Sequence, residues 1–134
     1  MGCIFRVGGE DLDVDACLAQ CHFETYSVYR KGEARGIKGR VHQHSGFGVA
    51  VSEADFGDLK QQIEDAIRFL ESNEAELKKL QEFPDVQGRV LDFPVEDRDV
   101  AVQCDVFPAR LLKLAGDFGI DIEITRYPIS SNES

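Results

Sequence analysis

The chain has 134 residues, of which 43% are hydrophobic and 30% charged, and its formal net charge at pH 7 is −10. This composition is typical of a globular protein with a core and excludes an intrinsically disordered chain. The negative charge repels phosphate backbones and argues against nucleic acid, and no apolar run is long enough to span a membrane. We expect a cytoplasmic protein, because the N-terminus lacks the basic and apolar regions of a signal peptide. An acidic surface suits a basic protein partner, although it also simply keeps a protein soluble.

Taken in chain order, the hydrophobic pattern predicts strand, helix, two strands, long helix, two strands, helix and strand. Alternation over residues 3–7 predicts the first strand, and Asp13 is a suitable N-cap for a helix over residues 14–22. A second strand is expected at residues 25–30. Alternating apolar residues predict a third at 47–51, which leads into the long helix.

The longest amphipathic pattern covers residues 56–70. Both Ser52 and Asp55 are candidate N-caps of this helix, and polar residues such as Gln62 fall outside its apolar stripe. Asn73 interrupts the pattern and is placed to cap a short second helix. The stripe itself has helical spacing and consists of Phe56, Leu59, Ile63, Ala66, Ile67 and Leu70.

The second half of the chain alternates apolar and polar residues in three further places. Residues 91–95, 100–106 and 120–124 each follow the period of a half-buried strand. A helix over residues 108–118 is expected between the last two, and Gly119 is well placed to end it.

Six one-sided strands and three amphipathic helices predict an α+β two-layer sandwich. We expect a mostly antiparallel sheet of about six strands, with the three helices on one face and a ferredoxin-like order in the first half. Residues 1–128 are expected to form a single domain, and residues 129–134 a polar C-terminal tail.

Cysteine and histidine are the first candidates for a metal site. Thiolate and neutral imidazole are ligands that zinc prefers, so the sequence allows a site made of Cys17, Cys21 and His22 with His42 and His44. Periodicity argues against it, because all four thiols fall on apolar faces, where cysteine behaves as a small hydrophobic residue. We therefore predict structural cysteines, no metal and no cofactor. The four cysteines are Cys3, Cys17, Cys21 and Cys104.

Residues 30–40 depart from the acidic character of the chain, with five cationic residues and three glycines. No period of two or 3.6 residues runs through them, so we expect a loop or an irregular hairpin. Arginine side chains suit oxyanions, phosphates or an acidic partner. Alternatively, the cations only neutralise nearby acids such as Asp11, Asp13 and Asp15. With two histidines that follow at strand spacing, the candidate binding residues are Arg30, Lys31, Arg35, Lys38, Arg40, His42 and His44.

Three stretches resemble a bacterial family, the domain of unknown function 4279. They are residues 12–18, residues 31–33 and residues 107–127, and residues 45–80 are similar to the strand, break and long helix of that family. Where a tryptophan is expected after the basic loop, this chain has Phe47 and no tryptophan. The resemblance implies a fold and no catalytic residues, since the family has no agreed activity.

No nucleophile motif, phosphate loop or other catalytic pattern can be read from the chain. We therefore expect a non-enzymatic binding or protein-interaction domain. The more specific form of this hypothesis is an immunity-like inhibitor of a basic partner. The sequence leaves open whether the protein forms a homodimer. The alternative is a small-ligand or metal-binding domain that uses the region from Arg30 to His44.

Overall fold

A computed structural model describes residues 2–36 and 39–128 of the chain. Among the described helices, none combines the length and the apolar content that crossing a membrane requires. Five strands and four helices follow one another in this described part: β1 (Ile4–Gly9), α1 (Val14–Gln20), β2 (Ser27–Tyr29), β3 (Ser45–Ala50), α2 (Leu59–Ser72), α3 (Glu74–Glu82), β4 (Gly88–Glu96), α4 (Ala109–Asp117) and β5 (Asp121–Tyr127).

The five strands form one sheet in the order β2-β3-β1-β4-β5. The pairs β2–β3, β3–β1 and β1–β4 are antiparallel, whereas β4 and β5 run parallel. The first four strands and their helices therefore follow the ferredoxin-like order expected from the sequence. The helix α4 lies in the crossover connection that the parallel neighbour β5 requires, so the sheet is mixed.

One face of the sheet carries the core. On β1, Phe5 and Val7 are buried, whereas Arg6 between them is exposed, because successive side chains point to opposite faces. On β4 the buried side chains Leu91 and Phe93 lie on the same face as Phe5. Buried residues of all four helices join them in one hydrophobic cluster. The helices therefore cover one face of the sheet, as predicted.

Four phenylalanines from distant parts of the sequence meet at the centre of this core. Phe5 of β1 contacts Phe23 and Phe69, with ring centroids 6.0 and 5.7 Å apart. Phe23 also stacks on Phe47 of β3 at 5.8 Å. These contacts join β1, β3, α2 and the segment that follows α1, and they add to the area that each ring buries.

The long helix α2 begins at Leu59, later than either candidate N-cap indicated. Its cap is Asp58, whose carboxylate accepts a hydrogen bond from the backbone N–H of Gln61 at 3.2 Å. Within the helix, Ile63, Ala66 and Leu70 of the predicted stripe are buried, whereas Leu59 and Ile67 are half-buried. Phe56 precedes the helix and is 37% exposed, so it does not belong to the stripe.

Gln62 is fully buried, and its predicted place on the solvent side of α2 is wrong. Its Nε2 donates hydrogen bonds to the backbone carbonyls of Asp55 and Pro94, both at 3.0 Å. A buried amide is tolerated where its hydrogens find partners. The bond to Pro94 joins the start of α2 to β4, and the bond to Asp55 joins it to the segment that precedes the helix.

The described part of the chain has four helices rather than the predicted three, because the short helix expected after Asn73 forms as a separate element, α3. Asn73 stands at the break with φ −116° and ψ 25°. Its side chain makes no cap hydrogen bond to α3, contrary to expectation, and its Nδ2 instead donates to the carbonyl of Phe69 at 2.9 Å. Such a side-chain bond competes with the helical backbone and helps to end α2.

The predicted strand at residues 100–106 is not formed, so the sheet has five strands among the described residues rather than about six. Cys104 is exposed, which overturns its predicted place in the core. The apolar side of this segment faces outward, with exposed fractions of 54%, 76% and 77% at Val100, Val102 and Val106.

Polar contacts hold this segment in the opposite orientation to the one that its hydrophobic pattern indicates. The Oε1 atom of Gln103 accepts a hydrogen bond from the backbone N–H of Arg98 at 2.8 Å, and its Nε2 donates to the carbonyl of Glu96 at 3.2 Å. Asp105 forms an ion pair with Arg98 at 3.6 Å. Because Gln103 and Asp105 occupy the inner side, the valines on the alternate positions are left outside.

This orientation predicts effects of different size for the same substitution at two valines. Val102→Ala changes the free energy of unfolding by less than about 0.5 kcal/mol, because the side chain is already in solvent. Val7→Ala lowers it by about 1.5–3 kcal/mol, since this side chain is 1% exposed. Urea denaturation of both variants measures the difference. Equal losses would show that residues 100–106 are buried after all.

The four thiols also divide into buried and exposed side chains. Cys3, Cys17 and Cys21 are fully buried, and burial raises the pKa of all three thiols, that of Cys17 to about 12. Since the thiolate is the reactive form, these three cysteines are inert in the folded chain. Cys104 is the exposed one.

We therefore expect a thiol reagent such as iodoacetamide to modify one cysteine rapidly in the native protein and all four in urea. Mass spectrometry of the digested protein locates the modified residue at Cys104. The variant Cys104→Ser loses the rapid phase, whereas the matched variant Cys17→Ser keeps it. A rapid phase that survives Cys104→Ser would contradict the described burial.

Candidate functional site

The second face of the sheet is turned away from the helices, and we call it the open face. Its side chains follow from the strand register and the alternation of neighbouring residues. Polar and small residues dominate it, in contrast to the helix-covered face. The open face includes Ser27 and Tyr29 on β2, Gly46, Gly48 and Ala50 on β3, Ile4, Arg6 and Gly8 on β1, Gly88, Val90 and Asp92 on β4, and Asp121, Glu123 and Thr125 on β5.

Three glycines lie side by side on the three central strands of the open face, near one end of each strand. Gly8 on β1 is the register partner of both Gly46 on β3 and Gly88 on β4. Tyr29 lies over Gly46, because a Cβ added there would collide with the phenol ring. At Gly88 an added Cβ would meet no described atom within 4 Å. The glycine row is thus a floor without side chains, covered by tyrosine at one end and open at the other.

The basic loop, residues 30–44, borders this floor. Its described residues form an irregular hairpin in which Ala34 and Val41 pair as a single antiparallel bridge. The ring of His42 stacks on that of Tyr29, with centroids 5.0 Å apart and planes inclined by 28°. The loop is therefore attached to the open face by an aromatic contact at the covered end of the glycine row.

A cavity of about 670 Å³ lies between the basic loop and the glycine row. Three of the predicted binding residues line it, namely Arg35, His42 and His44. Arg6 of β1 and Tyr29 of β2 line it as well. Among the described residues that line the cavity there is no aspartate and no glutamate, although the chain as a whole carries 25 of them.

Two other predicted binding residues face acids instead of the cavity. The guanidinium of Arg30 donates to both carboxylate oxygens of Asp15, at 2.7 and 2.9 Å, and this hydrogen-bonded pair lowers the pKa of Asp15. The Nζ atom of Lys31 lies 3.6 Å from the carboxylate of Asp11. Their charges therefore neutralise neighbouring acids, which is the structural role that the sequence left open.

The last two candidates of the basic loop, Lys38 and Arg40, are not among the described residues that line the cavity. Arg40 is exposed and does not line the cavity. Lys38 lies outside the described residues. The binding residues predicted from the sequence are thus divided between the cavity, ion pairs on the surface and solvent.

Arg6 is a second cation at the cavity, and the sequence pattern did not single it out. Its two terminal nitrogens donate to Asp92 at 2.6 Å and to Glu123 at 2.9 Å, and Asp92 also accepts from the hydroxyl of Thr125 at 2.7 Å. Partial burial lowers the pKa of Arg6, but these two carboxylates outweigh it and raise the pKa overall. The network fixes the direction of the guanidinium and sets two negative charges against its one positive charge.

Arg35 differs from Arg6 in its surroundings. No described carboxylate lies within 4.0 Å of its guanidinium nitrogens. Its side chain is exposed and borders the cavity. Arg35 is therefore the cation of the cavity whose charge is not balanced by a described ion pair.

The glycine row was missed because its members are far apart in the sequence. A partial signal for it existed, since Gly46 directly precedes the predicted strand 47–51, in which Gly48 alternates with Phe47 and Val49. Glycine inside a strand often marks a place where a ligand or another group approaches the backbone closely. Their alignment with glycines of other strands depends on register, which the sequence does not show.

The candidate metal ligands are not brought together. Cys17 and Cys21 lie in the core, and the ring of His22 is 3.8 Å from the carboxylate of Glu76. His42 and His44 lie instead at the cavity. Within the part of the chain that the structure describes, no group of three or more His, Cys, Asp or Glu side chains is arranged to hold a metal ion.

The comparisons with known proteins agree with the resemblance seen in the sequence. A family model described as Domain of unknown function (DUF4279) matches residues 1–128. The chain belongs to this family. No curated protein and no solved structure matches it. Membership of the DUF4279 family is thus shown, and it assigns no activity to the cavity.

The glycine row predicts different costs for two equivalent substitutions. Gly46→Ala lowers the free energy of unfolding by about 1–3 kcal/mol, because the new methyl group overlaps the ring of Tyr29 and the backbone of Val7. Gly88→Ala is neutral or stabilises by about 0.4–1 kcal/mol, since its methyl group enters open space and the unfolded chain loses freedom. Thermal and urea denaturation compare the two variants. A destabilised Gly88→Ala would show that this end of the row is not open.

Proposed function

We propose that this DUF4279 protein is a non-enzymatic binding domain that holds a small ligand in the cavity of the open face. The observation that carries the proposal is the convergence of Arg35, His42 and His44 on a cavity of about 670 Å³ with a glycine floor. Pockets for small molecules commonly measure about 300–1,000 Å³ and contain a few convergent polar groups. This is the small-ligand alternative that the sequence left open.

The construction of the cavity supports the proposal. Its floor includes Gly8 and Gly88 on the paired strands β1 and β4, so their positions are set by the sheet. The basic loop is attached at its first residues, where the backbone N–H of Lys31 donates to the hydroxyl of Ser45 at 2.9 Å and Arg30 pairs with Asp15. A binding site held by such supporting contacts loses little conformational freedom when a ligand arrives. The ion pairs of the loop thus act as positioning contacts for the cavity wall.

The immunity-like inhibitor of a basic partner stays a hypothesis that rests on the net charge of −10. The cavity favours a small ligand over such a partner, because its polar groups are collected in a concave site. A flat interface with another protein does not require a glycine floor beneath a loop.

A thermal-shift screen of a small-molecule library, with three forms of the protein, tests this proposal. Ligands that occupy the cavity raise the melting temperature of the wild-type chain, since they bind the folded state. Gly88→Leu fills the open end of the glycine row and abolishes these shifts. Gly116→Leu is the matched control, because Gly116 lies on α4 and an added Cβ there also meets no described atom within 4 Å.

Ligand-induced shifts that survive Gly88→Leu would place the binding site elsewhere and contradict the proposal. Shifts lost equally in Gly88→Leu and Gly116→Leu would do the same, because the effect would not be specific to the cavity. A complete absence of stabilising ligands in a broad library would also count against a small-ligand function.

A further inference from the structure

We infer that the ligand of the cavity is a small organic oxyanion, a molecule with a phosphate or carboxylate group and an apolar body. This inference rests on the proposed function and names the class of its ligand. It starts from the lining, in which two arginines and two histidines occur without an acid among the described residues. The same lining disfavours the binding of a cationic ligand.

The absence of acids from the described lining is informative because the chain is strongly acidic. Its 25 acidic residues outnumber the 15 lysines and arginines. Elsewhere in the basic loop, Arg30 and Lys31 face Asp15 and Asp11 within ion-pair distance. At the cavity, in contrast, Arg35 has no described carboxylate within 4.0 Å of its guanidinium, and such an unpaired cation attracts an anion.

The two arginines of the cavity, Arg35 and Arg6, differ in how available they are to bind an oxyanion. Arg35 has no described carboxylate within 4.0 Å, so its planar guanidinium is available to hold an oxyanion with two parallel hydrogen bonds. Arg6 is oriented by Asp92 and Glu123, and these occupy only two of the five donors of its guanidinium. We therefore assign the contact with the oxyanion to Arg35, because two carboxylates already face the charge of Arg6.

The remaining walls suit an apolar body. The stacked rings of Tyr29 and His42 form one side, and Val90 of β4 lines the cavity on another strand. Over Gly88 there is room for a ring to approach the backbone, since no described atom lies within 4 Å of an added Cβ. The imidazoles of His42 and His44 add ring N–H donors beside Arg35.

The test is an NMR titration of ¹⁵N-labelled protein with three probes that share one body. Phenyl phosphate and benzoate carry the two oxyanions, and benzyl alcohol is the neutral control. We expect saturable shifts of the backbone amide signals of Gly8 and Gly88 with at least one anion and none with benzyl alcohol. The anion that saturates at the lower concentration identifies the headgroup. Added salt weakens the binding, because the attraction is electrostatic.

Two arginine variants of the same loop provide the matched comparison. Arg35→Gln weakens binding of the preferred anion at least about tenfold, as the loss of a charged hydrogen-bond partner predicts. Arg40→Gln leaves it unchanged, since Arg40 is also exposed but does not line the cavity. Both residues are on the surface, so both variants are expected to fold, and their spectra show whether they do.

Three results would overturn the assignment of an oxyanion: benzyl alcohol binding as tightly as the anions, equal binding by Arg35→Gln and Arg40→Gln, or no saturable shift with either anion. If a neutral probe binds and Gly88→Leu blocks it, the small-ligand function stands and only the ligand class is wrong. If Gly88→Leu leaves anion binding intact, the cavity is not the binding site and both proposals fail.

Discussion

The pairing of β1 with both β3 and β4 is the constraint on which the rest of the structure depends. Because side chains alternate along a strand, this double register decides which residues enter the core and which reach the open face. It places Phe5 and Val7 under the helices and aligns Gly8 with Gly46 and Gly88 on the other side. A slip of one residue would move the core residues into solvent and destroy the glycine floor. Core and cavity are therefore specified by the same hydrogen bonds.

The cations of the basic loop have different roles, which depend on their position along the loop. Its first residues, Arg30 and Lys31, pair with Asp15 and Asp11 near α1 and hold the loop against the domain. Exposed ion pairs of this kind contribute little to stability, so their main effect is on position. Arg35, farther along the hairpin, borders the cavity without a described carboxylate partner. One loop thus combines residues that fix its place with a residue that is available to a ligand.

Hydrophobic pattern and structure disagree where a few polar contacts prevail. Residues 100–106 alternate like a half-buried strand, yet the inward hydrogen bonds of Gln103 leave the valines in solvent. Gln62 shows the reverse case, since it is polar and fully buried because two backbone carbonyls accept its side-chain hydrogens. Alternation reports where burial would be favourable. It does not show whether a partner surface exists, or whether a polar group finds partners inside.

The sequence by itself determined the α+β class, most elements, the ferredoxin-like order and the basic character of the loop, because these depend on periodicity and composition within short windows. It also indicated Arg35, His42 and His44, which occupy one exceptional stretch. Only the tertiary structure decided the mixed sheet, the division of the loop cations and the cavity over Gly88. The reason is physical: the register that joins residues far apart in the chain is set by the packing of the whole sheet, and no local pattern records it.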